Sequence, residues 1–308
     1  MRLKTLANTL DYTICGNENL QVKTIRFASD AEKNDIAVAF KKSEILSTKA
    51  KIILTAPILL PNTNKTLLIS HEPIGLSVIK IVRIFQEKGY YPDYSQPIRL
   101  FPKDSHFEGD NCTIGSNTII SPSVIIESGV QIGNNCTIEP NVHIKRNCII
   151  GNNVHIGTGS IIGADSFYNY SDNGLKIFEG VGIVTIEDDV WIGSNTIIQR
   201  GSISNTIIGH DSNIGNLIDI GHDVKIGANC KIVSQVGIAG NVTIGKFVQI
   251  YGQTAISNNI IIDDYATILG KSSITKNVPK GKTFSGIYAR EHSETLRKYS
   301  EQNRNRRR

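Results

Sequence analysis

The chain has 308 residues, of which 40% are hydrophobic and 20% charged, with a formal net charge of +5 at pH 7. Residues 297–308 carry six basic side chains against Glu301, so residues 1–296 are neutral and the body is excluded as a nucleic-acid surface, leaving a basic tail able to steer an acidic partner. No apolar run is long enough to span a bilayer and Met1-Arg2-Leu3-Lys4 opens no secretory signal, so a cytoplasmic protein without a membrane span is expected.

Residues 1–98 have a mixed α/β texture and read as a small domain of their own. Leu3, Leu6, Ala7 and Leu10 recur at helical spacing, while Ile52-Ile53-Leu54 and Leu67-Leu68-Ile69 read as buried strands. Pro73 stands where a helix start accepts it, Ile79, Val82 and Phe85 fall on one side, and Gly89 follows the end. A linker is expected around Tyr90 to Pro102, with Pro92, Pro97 and Pro102 in it. The domain either packs and positions, or recognises one end of a substrate.

From residue 99 to 280 the chain is organised by a period of six. Ile stands at 114, 120, 126, 132, 138, 144, 150, 156 and 162, at 186, 192 and 198, and at every sixth residue from 208 to 274. That period is neither helical nor simple strand alternation; it is the signature of a solenoid. One Ile per hexad points inward, joined by small or β-branched residues at the fifth position, such as Val124, Val130, Val224 and Val242. Cys112, Cys136, Cys148 and Cys230 occupy the same position and read as apolar filler. Gly often follows the Ile, as at Gly115, Gly133, Gly193, Gly227 and Gly245, where a bend between short strands is expected to need it.

Two interruptions break the array. The segment 163–185 contains Asp165, Phe167, Tyr168, Tyr170, Lys176 and Phe178, and reads as a functional loop with exposed aromatics that keeps the hexad register. A second break of four residues precedes Ile208. Beyond Val278, residues 281–308 read as a short polar helix over 289–299 that caps the open end, followed by the basic tail.

His222 stands third in its hexad, an outward position near a corner. The Ile-Gly repeats resemble those of the hexapeptide-repeat acyltransferases. The three hexads per coil which that resemblance implies would place residue n beside n + 18, setting Gly240 one inter-strand spacing, about 4.8 Å, from His222. A His beside a bare backbone amide offers a base next to an oxyanion donor. A surface His in water is the plainer reading of the same position.

The same resemblance implies a left-handed parallel β-helix of about eight coils of three hexapeptides, assembled as a homotrimer. The run Arg200-Gly201-Ser202, Thr206-Ile207-Ile208-Gly209, Asn216, Ile220-Gly221-His222 and Gln235-Val236-Gly237-Ile238-Ala239-Gly240 resembles the UDP-3-O-acylglucosamine N-acyltransferases of lipid A biosynthesis. The N-terminal domain, Gly163-Ala164-Asp165-x-Phe167 and Ser285-Gly286-Ile287 also correspond, so the resemblance runs over nearly the whole chain.

The resemblance implies transfer of an acyl group from an acyl carrier protein or coenzyme A thioester to the amine of a nucleotide-linked amino sugar, with no tightly bound cofactor and no metal. His222 would be the general base and the Gly240 amide the oxyanion donor. Asn216, Asp165, Phe167, Tyr168, Lys176 and Asn259 would bind substrate.

The departures from the family pattern fall in the recognition elements. The positions of its uracil-stacking Phe, its Asn and its Tyr carry Val38, Lys41 and Glu44; its second active-site His is Asn259, the Asp before Asn216 is Gly215, and Asp-Arg-Gly is Gln199-Arg200-Gly201. They point to an altered acceptor, such as a dTDP-amino-deoxyhexose on the way to a surface polysaccharide. Two other classes compete. A zinc hydratase on the same helix needs three converging imidazoles, whereas His210 and His222 fall on different faces of one coil. A non-catalytic scaffold would have no use for the His222–Gly240 pair.

Overall fold

The computed structural model describes residues 1–39, 42–57, 63–90, 107–171 and 175–286. The linker expected at Tyr90 to Pro102, apart from Tyr90 itself, lies outside these residues, as do Lys41, the helix expected over 289–299 and the basic tail.

Residues 1–90 form an α/β unit of five strands: β1 (Thr13–Cys15), β2 (Ile25–Phe27), β3 (Ile36–Val38), β4 (Ile52–Thr55) and β5 (Thr66–Ile69), in the order β1-β5-β4-β3-β2. β1 runs antiparallel to β5, and the other pairs are parallel. Helix α1 (Leu3–Leu10) buries Leu3, Leu6 and Ala7. A short α2 (Lys42–Ser47) follows β3. Helix α3 (Ile74–Glu87) buries Val78, Ile79, Ile81, Val82 and Phe85. Pro73 sits at its N-cap, where a missing N–H costs no hydrogen bond, and Gly89 follows the end at φ 72°.

Residues 107–286 form a parallel β-solenoid of three sheets with eight, nine and nine strands. The two strands beyond the Ile rank are Phe107–Glu108 at one end and Thr283–Phe284 at the other. Consecutive coils pair at eighteen residues, as in Ile208 with Ile226 and Ile226 with Ile244. The Ile rank and the fifth-position residues make one continuous core in which most members are almost inaccessible. Each buried Ile contributes roughly 1.5–3 kcal/mol relative to exposure. Cys136, Cys148 and Cys230 are buried members of that core, and Cys112 is partly buried against it.

The glycines after the Ile serve a different purpose from the one expected. Gly115, Gly133 and Gly227 do not have positive φ; a Cβ on Gly115 would come within 2.5 Å of the Gly133 carbonyl carbon on the next coil. Coil-to-coil spacing, rather than bending, excludes a side chain there. The bend falls two residues later, where Asn117, Asn135, Asn141, Asn153, Asn195, Asp223, Asn229 and Asn259 all have φ between 53° and 60°. Asn and Asp tolerate this left-handed geometry better than other non-glycine residues.

The segment 163–185 keeps the register, since Ile162 pairs directly with Ile198. It projects a hairpin, Tyr168–Ser171 against Leu175–Phe178, in which Tyr170 lies opposite Lys176. Its aromatics are not uniformly exposed as expected. Phe178 is 8% accessible and, with Val181, belongs to the buried cluster of the N-terminal unit, whereas Phe167 is 72% accessible. The hairpin therefore docks the solenoid against the α/β unit.

Candidate active site

His222 sits at the corner between the strands Asp219–Ile220 and Lys225–Ile226. Its ring lies over Gly240: a Cβ built on Gly240 would stand 2.5 Å from Nε2, so only glycine fits beneath it. Asp219 pairs with Gly237, the eighteen-residue step that brings these two corners together. The ring is 17% accessible, less than an outward position suggests. Tyr168 from the hairpin meets it edge-on, with centroids 5.8 Å apart, and holds it against the corner.

Asp223 explains the ring's orientation. Its Oδ2 lies 2.7 Å from His222 Nδ1. A carboxylate can only accept, so Nδ1 carries the proton and Nε2 is left as a lone-pair acceptor toward the cleft. Asp223 is itself buried and accepts from the Ser202 amide at 3.0 Å, the Ser202 hydroxyl at 2.6 Å and the Ser204 amide at 3.0 Å. Three donors besides the imidazole fix the position of its carboxylate. Sequence reading passed over Asp223 because it fills the fourth hexad position, where Asn and Asp recur at the left-handed bend. The signal was its place directly after the candidate His, opposite the Ser-rich break at 202–206.

A cleft of 710 Å³ opens in front of His222. The solenoid contributes Gly240, Asn241, Thr243, Asn258, Asn259 and Ile261 to its lining, the α/β unit Phe27, Ala28, Ser29, Val38 and Glu44, and the hairpin Phe167 and Tyr168. Burial pushes the Tyr168 hydroxyl pKa up, and the Asp223 charge adds to the shift. Asp219, on the strand leading to His222, is also raised by burial, partly offset by a hydrogen bond from Gln199.

Of the residues expected at the site, His222, Gly240, Phe167, Tyr168 and Asn259 share this cleft. Asn259 accepts from Asn241 Nδ2 at 2.8 Å. Asn216 does not join them: it lies on the preceding corner of the same coil, where its Oδ1 accepts from the Ser194 amide at 2.8 Å. Asp165 pairs with Lys145 at 3.0 Å and does not line the cleft. Lys176 lies in the second strand of the hairpin. Val38 borders the cleft from between β2 and β4 but is only 1% accessible, too little surface to stack a base on. Among the described residues, no three His, Cys, Asp or Glu side chains gather into a group that could hold a metal ion.

A three-sheeted stack of hexapeptide coils with a His–Asp pair over a glycine defines a β-solenoid of the hexapeptide-repeat class. The chain matches the family model described as bacterial transferase hexapeptide (six repeats) over residues 109–139 and 129–164. It matches the hexapeptide repeat of succinyl-transferase over residues 183–216.

Over 127 residues it is 63% identical to a UDP-3-O-acylglucosamine N-acyltransferase of Sinorhizobium fredii (strain NBRC 101917 / NGR234), a match covering 41% of this chain and 36% of that protein. An enzyme of the same name from Anaeromyxobacter dehalogenans (strain 2CP-C) is 37% identical over 135 residues, covering 41% of this chain and 38% of the other. The chain thus spans little over a third of the length of these relatives. Among solved structures, UDP-N-acetylglucosamine acyltransferase from Francisella novicida is similar at 25% identity and a TM-score of 0.55, covering 63% of this chain and 71% of its own. UDP-N-acetylglucosamine O-acyltransferase from Moraxella catarrhalis RH4 shares the fold at 24% identity and a TM-score of 0.53, covering 65% and 77%.

Proposed function

We propose that the chain is an N-acyltransferase that moves an acyl group from a thioester, on acyl carrier protein or coenzyme A, to the amine of a nucleotide-linked amino sugar. The observation that carries this reading is the His222 ring, oriented by Asp223, standing over the Gly240 backbone. Nε2 takes the proton of the amine as its nitrogen attacks the thioester carbonyl. The Gly240 amide stabilises the oxyanion as it develops, and collapse of the tetrahedral intermediate expels the thiolate. The names of the sequence relatives support the amine as acceptor.

Left-handed winding and a homotrimer belong to the same proposal. Asn216, on the neighbouring corner of the coil, would then serve the cleft of an adjacent subunit. Residues 1–98 would recognise the nucleotide end of the acceptor, the solenoid over 99–280 would carry the chemistry, and the reaction would take place in the cytoplasm.

Burial of Val38 favours a nucleotide held differently from a base stacked at that position, and Phe167, 72% accessible at the cleft, is the platform we assign to it. A base stacked on Phe167 is worth about 1–3 kcal/mol by analogy with single-stranded nucleic-acid binding. A dTDP-linked amino sugar is therefore a second reading beside a UDP-linked one. Calorimetric titration with UDP, dTDP and their amino-sugar conjugates decides between them, followed by transfer assays with both thioester classes. Binding weakened by Phe167→Ala supports the assignment. Tight UDP binding lost on changing Val38, but not on changing Phe167, overturns it.

A further inference from the structure

The break in the hexad before Ile208 contains a turn, Ser202-Ile203-Ser204, that is fixed at both ends. On one side Ser202 and Ser204 clasp the Asp223 carboxylate through two amides and a hydroxyl. On the other, Ile203 is 4% accessible and sits in the buried cluster of the N-terminal unit with Leu6, Val38, Phe85 and Phe178. The turn has little room to shift alone, because Gly182 and Gly201 both press on the Ser204 carbonyl so closely that a Cβ at either would overlap it.

A second set of contacts reinforces the first. The Phe27 amide donates to Ser204 Oγ at 3.4 Å, and Ser204 also hydrogen-bonds Asp30. Asp30 in turn pairs with Lys225, two residues beyond Asp223. Burial acts to raise the Asp30 pKa, but the hydrogen bond and charge of Lys225 outweigh it and hold the carboxyl below its usual value. Ala28 and Ser29, between Phe27 and Asp30, line the cleft in front of His222. The segment that lines the cleft is thus the segment that braces the clasp.

We infer that the N-terminal unit aligns the His222–Asp223 pair, with Ile203 and Asp30 as positioning residues that hold the Asp223 clasp through the Ser202–Ser204 turn. Seating that unit on the solenoid sets the direction of the imidazole. A ligand pressing on Ala28 and Ser29 tightens the same clasp. The effect on turnover rests on His222 acting as the base; the effect on the imidazole does not.

The test uses the full chain with Ile203→Ala, Asp30→Ala, Lys225→Met and the Asp30→Ala/Lys225→Met pair. The first readout is the histidine long-range ¹H–¹⁵N spectrum without substrate, with the His222 signal assigned by its loss in His222→Gln. The wild type should show one Nδ1-protonated tautomer, and Ile203→Ala and Asp30→Ala should show tautomer averaging. The second readout is turnover, in which kcat should fall ~10-fold or more with KM changed less than ~3-fold, the pattern of a lost transition-state interaction. The double variant should be no worse than the worse single one, since both changes cut one link. Should Ile203→Ala fail to fold, Asp30→Ala at the partly exposed ion pair decides the matter alone. An unaltered His222 tautomer in a folded Asp30→Ala overturns the inference, as does a change in KM alone. If the wild type acylates no amino sugar offered, the proposed function fails, while the tautomer measurement still decides the positioning claim.

Discussion

Two columns of corners in the solenoid use the same backbone geometry for opposite ends. In the first, Asn117, Asn135 and Asn153 each take the left-handed conformation, and their side chains bond one another from coil to coil, 3.3 Å at both steps, ending on Asp189 at 3.0 Å. In the second, Asp223 has the same φ of 59°, but its carboxylate turns away from the column and into the Ser202–Ser204 turn, carrying His222 with it. A repeat slot is structural while its own column satisfies it, and becomes chemical where something outside the repeat packs against it.

The largest effect that would separate the two columns is on rate. His222→Ala should lower turnover by about 10²–10⁴, the usual cost of removing a general base, with an unchanged melting temperature because the ring fills no core. Steady-state kinetics beside thermal denaturation checks this, and a variant with wild-type turnover would remove the second column's claim to chemistry. The core beneath both columns comes next. Ile226→Ala should destabilise by about 2–5 kcal/mol, since Ile226 is sealed between Ile208 and Ile244; chemical denaturation measures it, and no change in midpoint would contradict the packing. Smallest is the ladder itself. Asn135→Ala places a Cβ-bearing residue without a local hydrogen-bonding side chain at φ 57°, and should cost about 1–2 kcal/mol. Asn135→Gly should cost less. Equal losses from both would mean that the side-chain ladder, rather than the bend, is what the Asn supplies.

The contrast also marks what could be read from the residues. The Ile rank follows from the period alone. The eighteen-residue coil, and with it the meeting of His222 with Gly240, needed the three hexads per coil that the family resemblance implies, because a solenoid turns sequence separation into adjacency only once the coil length is set. Helices α1 and α3 were legible from Leu3, Leu6 and Ala7 and from Pro73 and Gly89. The clasp on Asp223 was not, since its donors come from a break in the repeat and its braces from Asp30 and Ile203, contacts for which no periodic signal exists. The burial of Phe178 was missed for the same reason: its partners lie on another unit. The role of the glycines was misassigned because a bend and a close approach both exclude a side chain, and only φ distinguishes them.

The direct pairing of Ile162 with Ile198 has a kinetic side. Most coils close between residues eighteen apart, whereas this one joins residues thirty-six apart in all three sheets, Ile150 to Ile186, Ile156 to Ile192 and Ile162 to Ile198. Doubling the length of a closing loop costs only about 0.6 kcal/mol more. That small increment falls on the coil with the largest separation, next to one that closes at twenty-two residues, Ile186 to Ile208, so the solenoid is continuous in its hydrogen bonds but has a seam in its order of assembly.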